Sequence, residues 1–209
     1  MTDTTDRPKL LTPAIKLVLG FTLAYIGAAV VGALMTGNAE FVIYIGIMVV
    51  LVGVVALVHY RATLTLATLW ALSAWGAMHM AGGLVPVPES WPINGEIRVL
   101  YSLWLIPDLI KYDQVVHAYG FGITTWVCWQ ALASKLRPYG SATPTFGTMV
   151  LCAAGGMGFG ALNEVIEFTA VLLVPETNVG GYINTGWDLV ANLTGCTIAA
   201  VLIVFTHKG

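Results

Sequence analysis

The chain has 209 residues, of which 57% are hydrophobic and only 10% charged, with a mean hydropathy of +0.82; a soluble domain carries about 25% charged residues. That balance excludes an ordinary cytosolic enzyme, and a formal net charge of -2 leaves no basic excess for nucleic acid. The three cysteines, Cys128, Cys152 and Cys196, stand singly in apolar runs without the paired spacing of a zinc finger.

A transmembrane helix takes about 20 apolar residues. Apolar runs bounded by charged or turn residues predict helices near 14–35, 41–60, 63–84, 113–134, 145–173 and 184–206. The expected fold is all-α, a polytopic integral membrane bundle of about six spans forming one domain over residues 1–209. A polar tail, residues 1–12, precedes the first run. That run is longer than the roughly 7–15 residues of a signal-peptide core, so it reads as a retained helix.

The long connection, residues 85–112, holds four prolines together with Trp91, Tyr101, Trp104 and Tyr112. Its stretch Ile97–Ile110 is too short to span and is interrupted by Arg98 and Pro107. An outer interfacial or re-entrant segment is expected, either an anchoring belt or a lid. The fifth helix is rich in small residues, and Gly156 and Gly160 form a GxxxG pair suited to close helix packing.

Lysine and arginine set the orientation. With the N-terminus cytoplasmic, Arg7, Lys9, Lys16, Arg61, Lys135, Arg137 and Lys208 fall inside, against Arg98 and Lys111 outside. Glu40, Glu89, Glu96, Asp108 and Glu176 fall on the outer connections. Both termini are therefore expected in the cytoplasm.

Several residues do not belong in hydrocarbon: His79, Asp113, His117, Asn163, Glu164, Glu167, Asn184, Asp188 and Asn192. A carboxylate at a helix centre costs roughly 2.5 to 3.5 kcal/mol on insertion scales. The topology puts all of them in the outer half of the membrane. Spacings of three or four residues place partners on one helix face, as for Asp113 with His117, Glu164 with Glu167, and Asp188 with both Asn184 and Asn192. Each helix thus aims its polar groups in one direction, and the bundle interior is the simplest shared target.

Four carboxylates and two imidazoles, Asp113, Glu164, Glu167, Asp188, His79 and His117, form a ligand set suited to divalent Zn, Mn or Fe. Tyr119, Asn163, Asn184 and Asn192 would orient them from behind. Four clustered carboxylates need a compensating cation or a shared proton. A hydrogen-bond network joining the helices, or a proton pathway, remain open alternatives. A proton path, however, would need polar groups in the inner half, where the sequence supplies none to match.

The strings HMAGG, YDQVVHAYGFG, NEVIEF and NTGWDLVANLTG, between His79 and Gly195, resemble the YjdF-like family of bacterial inner-membrane proteins. More loosely, D-x-x-x-H-x-Y, E-x-x-E and D-x-x-x-N-x-x-G from Asp113 onward resemble the VanZ-like family, associated with teicoplanin resistance. The matching positions are Asp113, His117, Tyr119, Glu164, Asp188, Asn192 and Gly195. Where VanZ-like proteins usually carry a basic residue and a Gln, this chain has Gln114 and Glu167, and it lacks their Arg before the last Asp. The resemblance implies a fold, a bacterial cytoplasmic-membrane location and a site position, and supplies no reaction.

These readings converge on a multi-pass membrane protein whose site binds a divalent metal and hydrolyses a lipid or lipid-linked substrate. Glu164 and Glu167 are the candidate catalytic bases. The alternatives are an accessory subunit that packs against membrane-protein partners through the glycine-rich fifth helix, and a proton- or ion-coupled transporter.

Overall fold

A computed structural model describes residues 11–37, 39–140, 142–174 and 180–207. Arg7, Lys9, Glu176, Lys208, the side chain of Glu40 and most of the N-terminal tail lie outside the described residues. Six α-helices make up the described fold: α1 Pro13–Thr36, α2 Ala39–Ala62, α3 Leu66–Leu84, α4 Tyr112–Leu136, α5 Phe146–Leu173 and α6 Tyr182–Thr206.

The helix ends follow local chemistry. Thr12, Thr65 and Thr145 cap α1, α3 and α5, each hydroxyl accepting from a backbone N–H three residues on. Gly37 closes α1 with a φ of 66° that a side chain would resist. Four helices, α1, α2, α5 and α6, are long and apolar enough to cross a membrane. The polar residues and glycines of α3 and α4 dilute their composition, although the 19 residues of α3 still reach about 28 Å.

Polarity is inverted relative to a soluble protein. Leu34, Leu172 and Leu173 are mostly exposed, whereas Asp188, Asn192 and Thr125 are fully buried. That pattern is consistent with a multi-pass membrane protein, because an apolar exterior is stable in lipid and isolated interior polar groups need one another.

The pair α4–α6 is packed most extensively, with α5 against both and α3 bridging α1 to α4. A Cβ on Gly122 would lie 3.0 Å from the Gly195 carbonyl oxygen, and one on Gly195 would strike the backbone of Ala118. These two glycines therefore let α4 and α6 approach backbone to backbone. The GxxxG pair of α5 also faces inward: a Cβ on Gly160 would lie 2.6 Å from Asn192 Nδ2, and one on Gly156 would strike Thr125 and Cys196. Gly156 and Gly160 are thus engaged within the chain. The cysteines are free thiols, buried or half-buried.

The connection after α3, read from the sequence as an outer interfacial or re-entrant segment, has a defined fold of its own. It folds as a small cap containing an antiparallel hairpin, β1 Trp104–Ile106 and β2 Ile110–Lys111. Bridges Pro86 to Val99 and Ile93 to Leu103 pin its flanks, and Asp108 takes a left-handed turn conformation with a φ of 57°. With its prolines and Asp108 the segment cannot run as a helix, and hairpin pairing satisfies its backbone instead.

Candidate functional site

The cap sits over the bundle end where α3 and α5 finish and α4 and α6 begin, and the polar residues gather there. His117 on α4 is the hub. Its Nε2 lies 3.6 Å from Asp113 Oδ1 and 3.9 Å from Glu167 Oε1; its Nδ1 lies 3.6 Å from Glu164 Oε1 and 3.1 Å from Asn192 Oδ1. Two triads, Asp113–His117–Asp188 and His117–Glu164–Glu167, each bring ligand atoms within 4.8 Å of one another.

Asparagines hold the acids in place. Asn184 Nδ2 donates to Asp188 Oδ2 at 2.5 Å and to Asp113 Oδ2 at 3.4 Å. Asn163 Nδ2 donates to Glu167 Oε1 at 2.7 Å. Each of these carboxylates is therefore gripped at one oxygen. By contrast, Asp188 Oδ1 and Glu164 Oε2 are buried without a hydrogen-bond partner among the described residues, an arrangement proteins rarely tolerate without a ligand, ion or water.

Lys111, an outer-loop charge by sequence, joins the cluster in the structure. Pairing of Lys111 with Trp104 across the hairpin sets its backbone, and its side chain is only 7% exposed. Its Nζ donates to Asn184 Oδ1 and lies 3.6 Å from Asp113 Oδ2. One lysine does not balance four acids. Like charges 4 to 5 Å apart still repel by about 3 to 4 kcal/mol at an effective dielectric of 20. A signal was available: a lone lysine two residues before Asp113 stands on the side that the positive-inside bias leaves nearly empty.

Two expected members stand elsewhere. His79 on α3 exchanges hydrogen bonds with the cap: Tyr101 Oη is 2.6 Å from His79 Nδ1 and donates to the His79 carbonyl at 2.9 Å. A hydroxyl that donates to the carbonyl accepts from Nδ1–H, and the ring lies among Tyr44, Trp75 and Tyr101. His79 belongs to neither triad. Burial among these rings pushes the Tyr101 phenol pKa well up. Tyr119 points away from the cluster, its hydroxyl donating to the Ala71 carbonyl at 3.2 Å. The structure thus brings together Asp113, His117, Glu164, Glu167 and Asp188 with Asn163, Asn184 and Asn192, and leaves His79 and Tyr119 outside.

Comparison with known proteins bears on the family rather than the reaction. An uncharacterized protein of Thermotoga maritima is 30% identical over 99 residues, 47% of this chain and 50% of that protein, so the match spans about half of each. No solved structure matches. The looser VanZ-like resemblance gains no support from these comparisons. The family of predicted membrane proteins DUF2238, which is the YjdF family, matches residues 17–209, and the chain belongs to it.

Proposed function

We propose that the protein is a six-span protein of the bacterial cytoplasmic membrane, both termini inside, whose outer-half cluster binds one divalent cation, Zn, Mn or Fe. The observation that carries this reading is the setting of His117. Asn192 holds Nδ1, so the Nε2 lone pair turns toward Asp113 and Glu167 at 3.6 and 3.9 Å. Ligand atoms about 2.1 Å from a tetrahedral ion lie roughly 3.4 Å apart, close to those separations. An ion there would also give a partner to the unpartnered oxygen of Asp188, which shares a triad with Asp113 and His117.

The chemistry such an ion supplies is activation of a bound water. Glu164, with an oxygen free of hydrogen bonds, is the candidate general base, and a lipid or lipid-linked ester is the substrate class that reaches an outer-leaflet site. Proton transport is disfavoured by composition, since all nine acids beyond Asp6 lie on the cluster side of the bundle or its outer connections.

Elemental analysis of detergent-purified protein tests the reading. About one equivalent of Zn, Mn or Fe is expected in the wild type, with none in Asp113→Asn, Glu164→Gln. A wild type that stays empty after metal is supplied contradicts it. Hydrolysis is tested separately, by phosphate or acyl release from lipid-linked substrates in vesicles, and release that survives Glu164→Gln removes the assigned base.

A further inference from the structure

Helices α1 to α5 line a half-open cavity of about 460 Å³ that runs from Leu11 and Tyr60, on the side of the bundle away from the cluster, to Asn163. That is within the roughly 300 to 1,000 Å³ typical of small-molecule sites. Val18, Val55, Leu72, Phe121, Leu162 and Ile166 contribute to an apolar wall.

The hydroxyls along the wall are already satisfied. Thr22 Oγ1 donates to the Val18 carbonyl at 2.9 Å and meets Ser73 Oγ at 2.6 Å, while Thr124 donates to the Gly120 carbonyl at 2.9 Å. Asn163, at the far end, has its amide turned to Glu167. Water would find few partners in such a space, whereas the surroundings of an apolar helical bundle supply hydrocarbon chains at high concentration.

Two polar groups break the pattern, Trp75 Nε1 and His59 Nδ1, and of the two His59 stands at the cavity's open end. His59, at the end formed with Leu11 and Tyr60, is 9% exposed and lines the cavity. Its Nδ1 has no hydrogen-bond partner among the described residues, and Arg61 follows it in the last turn of α2. An apolar slot with an unpartnered imidazole nitrogen at one end matches the two parts of a phospholipid, an apolar chain and a polar ester region that can accept or donate there.

We propose that this cavity holds one acyl chain of a glycerophospholipid from the leaflet on the Arg61 side. The ester and phosphate region lies at His59 Nδ1, and the chain runs toward Asn163. In the proposed topology that leaflet is the inner one. The cavity meets the cluster at Asn163, which lines its far end and donates to Glu167, and neither proposal depends on the other.

The test uses the full chain in vesicles of phosphatidylethanolamine and phosphatidylglycerol doped with a phospholipid carrying a photoreactive diazirine in its acyl chain. After irradiation, adducts are mapped by peptide mass spectrometry. Adducts are expected on interior residues Leu69, Leu72 and Phe121 as well as on the outward Leu23 and Leu57. Val55→Trp, which fills the slot, should lose the interior adducts, keep those on Leu57 and keep its metal content. His59→Phe should release copurified phospholipid more readily on detergent washing than the wild type. Wild-type adducts confined to Leu23 and Leu57 would overturn the proposal, as would cross-links seating a second copy or residues 1–10 in the slot. Unchanged phospholipid retention in His59→Phe would overturn the headgroup contact.

Discussion

Asn192 Oδ1 lies 3.1 Å from His117 Nδ1, and both side chains are buried. An amide oxygen only accepts, so this contact puts the proton on Nδ1 and leaves the Nε2 lone pair facing Asp113 and Glu167. The glycines at 122 and 195 make the contact possible by letting α6 lie against α4.

Replacing Asn192 with Leu removes the group that orients His117. Loss of such an outer partner typically weakens metal affinity by about 10- to 100-fold. Competition with a chromogenic chelator measures it. Equal affinity in the variant would mean that Asn192 does not set the imidazole.

His79 and the cap give the opposite expectation. His79→Gln should leave metal content unchanged, because the ring is held by Tyr101 and joins neither triad. Tyr101→Phe should lower thermal stability by about 1 kcal/mol, the usual value of one hydrogen bond, again without metal loss. Metal lost with His79→Gln would return that residue to the ligand set.

The gathering of the polar residues at one end of the bundle was legible in the sequence; rotation about each helix was legible only in part. The apolar run near 14–35 became α1 Pro13–Thr36 because length and composition alone define such a run. Asp113 and His117 share a face at i and i+4, and the structure keeps them together. Tyr119 lies two residues beyond His117, about 200° around the helix, and so points at α3. His79 stands at the same end of the bundle but faces the cap. The hairpin that buries Lys111 rests on pairing between Trp104 and Lys111, which no local periodicity announces.

Lys111 makes a prediction with two signs. Lys111→Met removes the cation beside Asp113 and the donor to Asn184. Breaking a buried pair from one side costs about 3 kcal/mol, so the metal-free protein should melt lower. The same change makes the cluster more negative, so the divalent ion should bind more tightly and the gap between metal-free and metal-loaded melting should widen. A narrower gap would show that Lys111 does not oppose the ion.

The α4–α6 approach is tested by a pair of glycines. A Cβ on Gly195 would lie 2.6 Å from the Ala118 carbonyl carbon, whereas one on Gly158 meets nothing within 4 Å. Gly195→Ala should destabilise by about 1 to 3 kcal/mol through forced separation of the helices and loosen metal binding with it. Gly158→Ala should be neutral or slightly stabilising. Equal melting of the two variants in detergent would contradict the close packing.

X-ray absorption at the metal edge tests the central claim most directly. The metal-loaded wild type should show one imidazole nitrogen and two or three carboxylate oxygens at about 2.0 to 2.2 Å. The imidazole scattering should vanish in His117→Gln and persist in His79→Gln. A spectrum of water ligands alone, or an imidazole signal unchanged by His117→Gln, would contradict a metal centre built on His117.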